Sequence, residues 1–252
     1  MREFLIIPAA LLLIAAGLPD DVPVPSPNPR DTPPAVLSGQ DPAATNSETP
    51  PPVTPKPAEP DPAPPKPDET ALAACEAELK ALGAVFERRD AIDGPGTCGL
   101  SATYDVTRLA PGIEIRPETE ITCRTALAAA HWVRDVVGPA AKVFGKDVRL
   151  TGLRQASTYV CRTRNSQPGA KISEHARGTA IDISTFEFDG HGALSVMPEQ
   201  RKGSREEAFQ KAVRAGACLH FTTVLGPGSD AFHDNHLHID LARRNHGYRL
   251  CQ

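Results

Sequence analysis

Beyond about residue 70 the apolar positions fall into short periodic runs, and the period changes from one run to the next. From Thr70 to Leu82 apolar residues return at helical spacing, which predicts a helix. Asp93-Gly94-Pro95-Gly96 is a turn, because glycine and proline together break both regular structures. The Ala-rich run from Thr122 to Val137 reads as a second helix, stopped by Gly138-Pro139. Val148 to Tyr159 and Ala180 to Phe188 alternate with period two, as strands do. A further helix spans 205–216 with Gly216 as its close, and a short strand runs from Asn235 to Leu241. The mixture predicts an α+β fold, in which a small antiparallel sheet is flanked by helices and carries the polar residues of interest.

Upstream of residue 70 this periodicity is lost. Phe4 to Leu18 is apolar apart from Pro8 and Gly17 and follows a positive start at Arg2. It is shorter than the roughly 20 residues of a membrane span and suits the core of an export signal. Ala15-Ala16-Gly17 offers small residues for cleavage; left uncleaved, residues 4–18 would tether the chain to a membrane. Residues 19–70 hold 18 of the 26 prolines, with nine acids against three bases. Such a segment favours extended polyproline II and cannot build a core, so it reads as a disordered tether. The expected division is therefore 1–18 signal or anchor, 19–70 Pro-rich linker and 71–252 folded domain.

Composition narrows the function classes. Residues 71–252 are near neutral and lack the clustered Lys/Arg that nucleic-acid binding requires, so no nucleic-acid partner is expected. The six cysteines, Cys75, Cys98, Cys123, Cys161, Cys218 and Cys251, all fall in this part, and none forms a close pair of the kind metal sites use. An even number of dispersed cysteines behind an export signal predicts three disulfides in an oxidising compartment, periplasmic or envelope-associated, with 15 pairings open.

Two segments carry candidate chemistry. The first runs from Ser173 through Glu174, His175 and Gly178 to Asp182; the second holds His233, His236, His238 and Asp240. On a strand, His236, His238 and Asp240 share one face, and Leu237, Ile239 and Leu241 the other, which suggests a site set upon a core. In the first segment, Gly178-Thr179 and the β-branched Ile181 and Ile183 argue for a loop running into a strand. A hydrolytic zinc site takes three protein ligands and leaves a position for water, and His-x6-Asp with His-x-His supplies the right residue types. Gly178 needs only a close backbone approach or a positive φ to account for it.

Ser173-x-His175-x-x-Gly178-x-Ala180-x-Asp182 followed by His236-x-His238 resembles the signature of the zinc D-Ala-D-Ala peptidase, lysostaphin and murein endopeptidase group. Ser157-Thr158-Tyr159-Val160-Cys161-Arg162, with Asn165, resembles the segment that precedes it in carboxypeptidases of that group. Residues of about 75–251 more closely resemble the bacterial extensin-like C-terminal domain family, through these segments and Gly216-Ala217-Cys218 with Val224-Leu225-Gly226-Pro227-Gly228. The resemblance implies a peptidase-like fold, Zn2+ as cofactor and peptidoglycan peptides as partners. It implies His175, Asp182 and His238 as metal ligands, His236 as base or polariser, and Arg162 as the cation that steadies an oxyanion or the substrate carboxylate. His233 would share the work or line the cleft, and Asp240 or Glu174 would accept from a ligand imidazole. Some relatives place a glutamate base where this chain has Asn235.

The expected function is zinc-dependent hydrolysis of peptidoglycan peptide bonds outside the cytoplasm, as a carboxypeptidase or endopeptidase. Two other readings use the same residues differently. A non-catalytic module would keep the zinc and only hold wall peptide, and a structural protein would make the Pro-rich region the working part.

Overall fold

The computed structural model describes residues 66–198 and 202–252. The expected signal or anchor and the expected linker up to residue 65 lie outside the described residues. The folded part begins two residues before the expected boundary. The Asp68 side chain accepts from the backbone N–H groups of Thr70 and Ala71 and so caps α1 (Glu69–Ala81). The chain then forms β1 (Val85–Arg89), a hairpin of β2 (Ile92–Asp93) and β3 (Gly99–Leu100) around the expected turn, β4 (Thr103–Ala110) and β5 (Ile113–Arg116). After α2 (Cys123–Trp132) and α3 (Gly138–Ala141) come β6 (Arg149–Ser157), β7 (Ala180–Asp189) and β8 (Gly192–Ser195). The last elements are α4 (Arg205–Ala217), β9 (Thr223–Leu225), β10 (Leu237–Asp240) and β11 (Leu250–Cys251).

The fold is α+β, as the periodicities predict, but the sheet is neither small nor purely antiparallel. Among the described residues it has nine strands, ordered β1-β4-β5-β6-β7-β10-β9-β11 with β8 beside β7. β5 pairs parallel with β6, and β9 parallel with β11. Parallel neighbours need a long crossover, and the chain supplies one between β5 and β6 through α2 and α3.

Period two divides the two faces of the sheet. In β7 and β10, Ile181, Ile183, Leu237 and Ile239 are fully buried in one core with Trp132, Val133 and Phe209 from the helices. Asp182 and His238 alternate with them and point to the opposite face. Trp132 packs edge-on against Phe186 and Phe221, and its indole N–H donates to the Val213 carbonyl, joining α2 to α4. Burying each such ring contributes about 1.5–3 kcal/mol.

Two expected helix ends are corrected. Gly138-Pro139 does not stop the second helix. Residues Val133–Val137 form a π turn in which the Gly138 N–H bonds the Val133 carbonyl, and the chain continues through α3. Widening the turn accommodates a proline ring that would otherwise clash with the carbonyl four residues back. Gly216 does not close α4, which runs to Ala217 and is capped at Cys218. Its role is close approach: a Cβ there would lie 2.4 Å from Val136 Cγ1.

All six cysteines pair, as Cys75–Cys123, Cys98–Cys161 and Cys218–Cys251. The first joins α1 to α2, the second ties the turn before β3 to the segment after β6, and the third ties the end of α4 to the C-terminus.

Gly216→Ala sets two effects against each other. Alanine gains roughly 0.5–1 kcal/mol of helix propensity, while overpacking costs roughly 1–3 kcal/mol. With both Val136 methyls in the way, we expect a net loss of stability of about 1–2 kcal/mol in denaturant unfolding, relieved by adding Val136→Ala. A more stable Gly216→Ala protein would restore the helix-end role.

Candidate metal centre

β7 and β10 are antiparallel neighbours in a register that sets His238 directly opposite Asp182. Directly opposed residues have Cβ atoms about 4.5–5.5 Å apart, so the pairing alone brings this imidazole and carboxylate together. His175 arrives from the loop between β6 and β7, on a short 3-10 turn at Glu174–Arg177 that the Ser173 hydroxyl caps. Gly178 ends that turn at φ 62°, and its missing Cβ would lie 2.2 Å from Leu100 Cδ2. Both reasons foreseen for glycine therefore apply. The Gly178 carbonyl also accepts from Thr122 N and Thr125 Oγ1, which fastens the turn to the start of α2.

Three ligand-type atoms converge here. His175 Nε2 lies 3.2 Å from Asp182 Oδ1 and 3.1 Å from His238 Nδ1, and His238 Nδ1 lies 2.8 Å from Asp182 Oδ1. The outer ring nitrogens set the tautomers. His175 Nδ1 donates to the Thr158 carbonyl at 2.6 Å, and His238 Nε2 donates to Asp240 Oδ2 at 3.1 Å. With those protons assigned outward, each neutral imidazole turns a lone pair toward the carboxylate. With both rings neutral, three acceptors face one another, and either a proton on His238 or a bound cation can sit between them. Tetrahedral ligands on bonds of about 2.0–2.1 Å are spaced by about 3.3 Å, so the observed separations fit a small ion such as zinc after slight expansion. The residues present fit the group.

Burial alone would raise the carboxyl of Asp182, but the two imidazoles set against it, His175 and His238, outweigh it and hold the group well below the usual carboxylate range. Burial alone would lower His238; hydrogen bonds to Asp182 and Asp240 reverse this and push it up to about 9. Asp240 is also held low, against its burial, mainly by His238.

The other expected residues line the same cleft, of about 440 Å³, without joining the three-atom cluster. His236 precedes β10, and its Nε2 stands 3.6 Å from Asp182 Oδ1. Its Nδ1 donates to the Asn235 side chain at 2.9 Å, so the residue in place of a glutamate orients this imidazole. Burial lowers the His236 pKa, with Asp182 opposing, so the ring is neutral at pH 7. His233 is buried, 5.3 Å from the His236 ring, and bonds Asp230 at 2.6 Å. Arg162 is half-buried on the cleft wall, and its nearest acceptor is the Thr163 carbonyl at 3.4 Å. Of the two acceptors foreseen for a ligand imidazole, Asp240 takes the part and Glu174 instead receives Thr179 Oγ1 at 2.7 Å. The Thr158 carbonyl and Asp230 were not foreseen: backbone acceptors leave no residue-type signal. Asp230, three positions before His233, was readable only as one more acid in a loop.

The family described as "Extensin-like protein C-terminus" matches residues 73–252. The chain belongs to that family. No curated protein and no solved structure matches it. Every residue of the cluster and cleft named above lies within the matched span.

His238 titrates with a raised pKa, so in the metal-free extensin-like domain it carries a proton at pH 7 that an ion must displace. Zinc titrated into metal-free protein at pH 7 should therefore release about one proton, seen as a buffer-dependent calorimetric heat. Affinity should rise with pH until His238 is deprotonated near 9. Binding that is independent of buffer and pH would mean the ion sits elsewhere.

Proposed function

We propose that the domain is a zinc-dependent hydrolase that cleaves peptide bonds of peptidoglycan outside the cytoplasm. The observation that carries this reading is the convergence of His175 Nε2, Asp182 Oδ1 and His238 Nδ1 in an open cleft, beside a neutral imidazole that is not one of them. The likeness of residues 173–182 and 236–238 to the zinc D-Ala-D-Ala peptidase signature supports the choice of substrate. Three disulfides suit an oxidising compartment.

In this reading His175, Asp182 and His238 hold the ion, and the Thr158 carbonyl and Asp240 fix the two imidazoles. Zinc bound there would polarise the scissile carbonyl and bring the pKa of a water to about 7. His236 Nε2, with its lone pair toward Asp182, takes the proton of the attacking water, and its Nδ1–H to Asn235 keeps it in that tautomer. The same imidazolium then returns the proton to the leaving amine. Arg162 swings from the Thr163 carbonyl to donate to the oxyanion as charge develops. His233, held by Asp230, packs against His236 and limits its motion.

One observation favours the binding-module reading: Asn235 stands where some relatives carry a glutamate base, and an amide takes no proton. His236→Ala separates the two. The hydrolase reading expects a loss of turnover on muropeptides of about 100-fold or more, the scale of a lost general base, with zinc content unchanged. His238→Ala and Asp182→Ala should lose zinc and activity together. Zinc-loaded wild type that binds muropeptides and cleaves none would establish the binding module instead.

A further inference from the structure

We propose that Arg244 forms an anion subsite at one end of the cleft and there binds the C-terminal carboxylate of the peptide, which makes the enzyme a carboxypeptidase. The inference rests on the hydrolase reading above and names the substrate end that the site takes.

Arg244 lies between β10 and β11 and folds back over β9, where its Nη2 donates to Thr223 Oγ1 at 2.6 Å. Thr223 stands opposite Asp240, the residue that orients His238. Arg244 is thus one strand spacing, about 4.8 Å, to the side of the strand that carries the last ligand. Arg162 and Arg164 follow β6 and flank the cluster from the other side. Thr223 pairs with Asp240, two residues along β10 from His238, so Arg244 is offset along the strand as well as across it, and the Arg244 and His238 side chains both line the cleft that would take the peptide's end.

The chemistry of this arginine differs from that of arginines elsewhere in the sheet. Arg88, Arg89 and Arg154 each pair with a carboxylate. Arg244 has no carboxylate partner among the described residues, and its Nε is buried without an acceptor. Asp240, across the strands from Thr223, spends its oxygens on His238 and the Ala242 N–H. Tyr248 packs against the guanidinium, 5.9 Å from ring centroid to carbon, which engages its face and leaves the in-plane donors for a ligand. A fold-stabilising arginine would have its N–H groups satisfied; a half-buried cation with spare donors on a cleft wall is built to receive an anion. The strap that carries it is anchored by the Cys218–Cys251 disulfide and by Arg249, which donates to the Cys218 and Phe221 carbonyls.

The test is calorimetric binding of N-acetyl-Lys-D-Ala-D-Ala and its C-terminal amide to the zinc-loaded chain carrying His236→Ala, so that binding is read without cleavage. The acid should bind at least about tenfold tighter than the amide, the scale of a charge-assisted hydrogen bond. Adding Arg244→Ala should abolish that preference and Arg244→Lys should keep part of it, with zinc content unchanged in both. If the preference survives Arg244→Ala, Arg162 or Arg164 reads the carboxylate and the proposal is wrong. If zinc is lost with Arg244→Ala, the residue acts through Thr223 and Asp240 on the metal, and the subsite is again wrong. Tight binding of both peptides with no preference overturns the subsite and leaves the hydrolase reading intact. A chain that holds zinc and binds neither peptide overturns the peptidoglycan reading, and the subsite falls with it.

Discussion

His175 Nε2, Asp182 Oδ1 and His238 Nδ1 are brought within 3.2 Å of one another by groups that leave them little freedom to separate. The Thr158 carbonyl holds the outer nitrogen of His175, Asp240 holds that of His238, and strand pairing holds Asp182 opposite His238. Two lone pairs and a carboxylate turned inward repel unless a positive charge sits between them. Without an ion, a proton on His238 fills the gap, which is why the flanking carboxylates raise that imidazole to about 9. In the proposed reading a metal and a proton compete for one place, and the pH dependence expected of zinc binding follows from that competition.

The fold serves this cluster by giving the two faces of the central strands different work. Ile181, Ile183, Leu237 and Ile239 are locked into the helical side, so a register slip of one residue would drive Asp182 and His238 into the core. Hydrophobic burial thus enforces the polar geometry. Loops cover the other face, and disulfides hold the two that matter most: Cys98–Cys161 beside Arg162, and Cys218–Cys251 under the strap that carries Arg244. Closing loops of 63 and 33 residues restricts the unfolded chain and contributes roughly 4 kcal/mol each in the chain-entropy picture.

What could be read from sequence was what has a period or a distinctive residue type. α1, α4, β6, β7 and β10 carry a readable periodicity, and their predicted limits fall within a few residues of those observed. β1, β4 and β5 were missed because β1, VFERR, is an exposed edge and β4 mixes buried polar Thr103 and Asp105 with apolar residues. Asp105 is stable inside because it accepts from Arg89 and the Thr119 N–H, partners that sequence does not disclose. In β7 the apolar positions pass from odd (181, 183) to even (186, 188), the mark of the register shift observed against β6 between Ile183 and Thr185. The residue types of the cluster were legible from His-x6-Asp and His-x-His, while the choice of His238 over His236 came from the resemblance. The cluster's backbone acceptor, the Asp230 support of His233 and the return of Arg244 to the cleft were not legible, because each depends on how distant segments meet.

The central claim is that one ion occupies the space between those three atoms. Crystals of the domain grown with zinc, measured on both sides of the zinc absorption edge, test it directly. A single anomalous peak about 2.0–2.2 Å from His175 Nε2, Asp182 Oδ1 and His238 Nδ1 is the expected result, with His236 outside bonding distance. A peak coordinated by His236 in place of one of the three, or no peak while His238 still hydrogen-bonds Asp182, would contradict it.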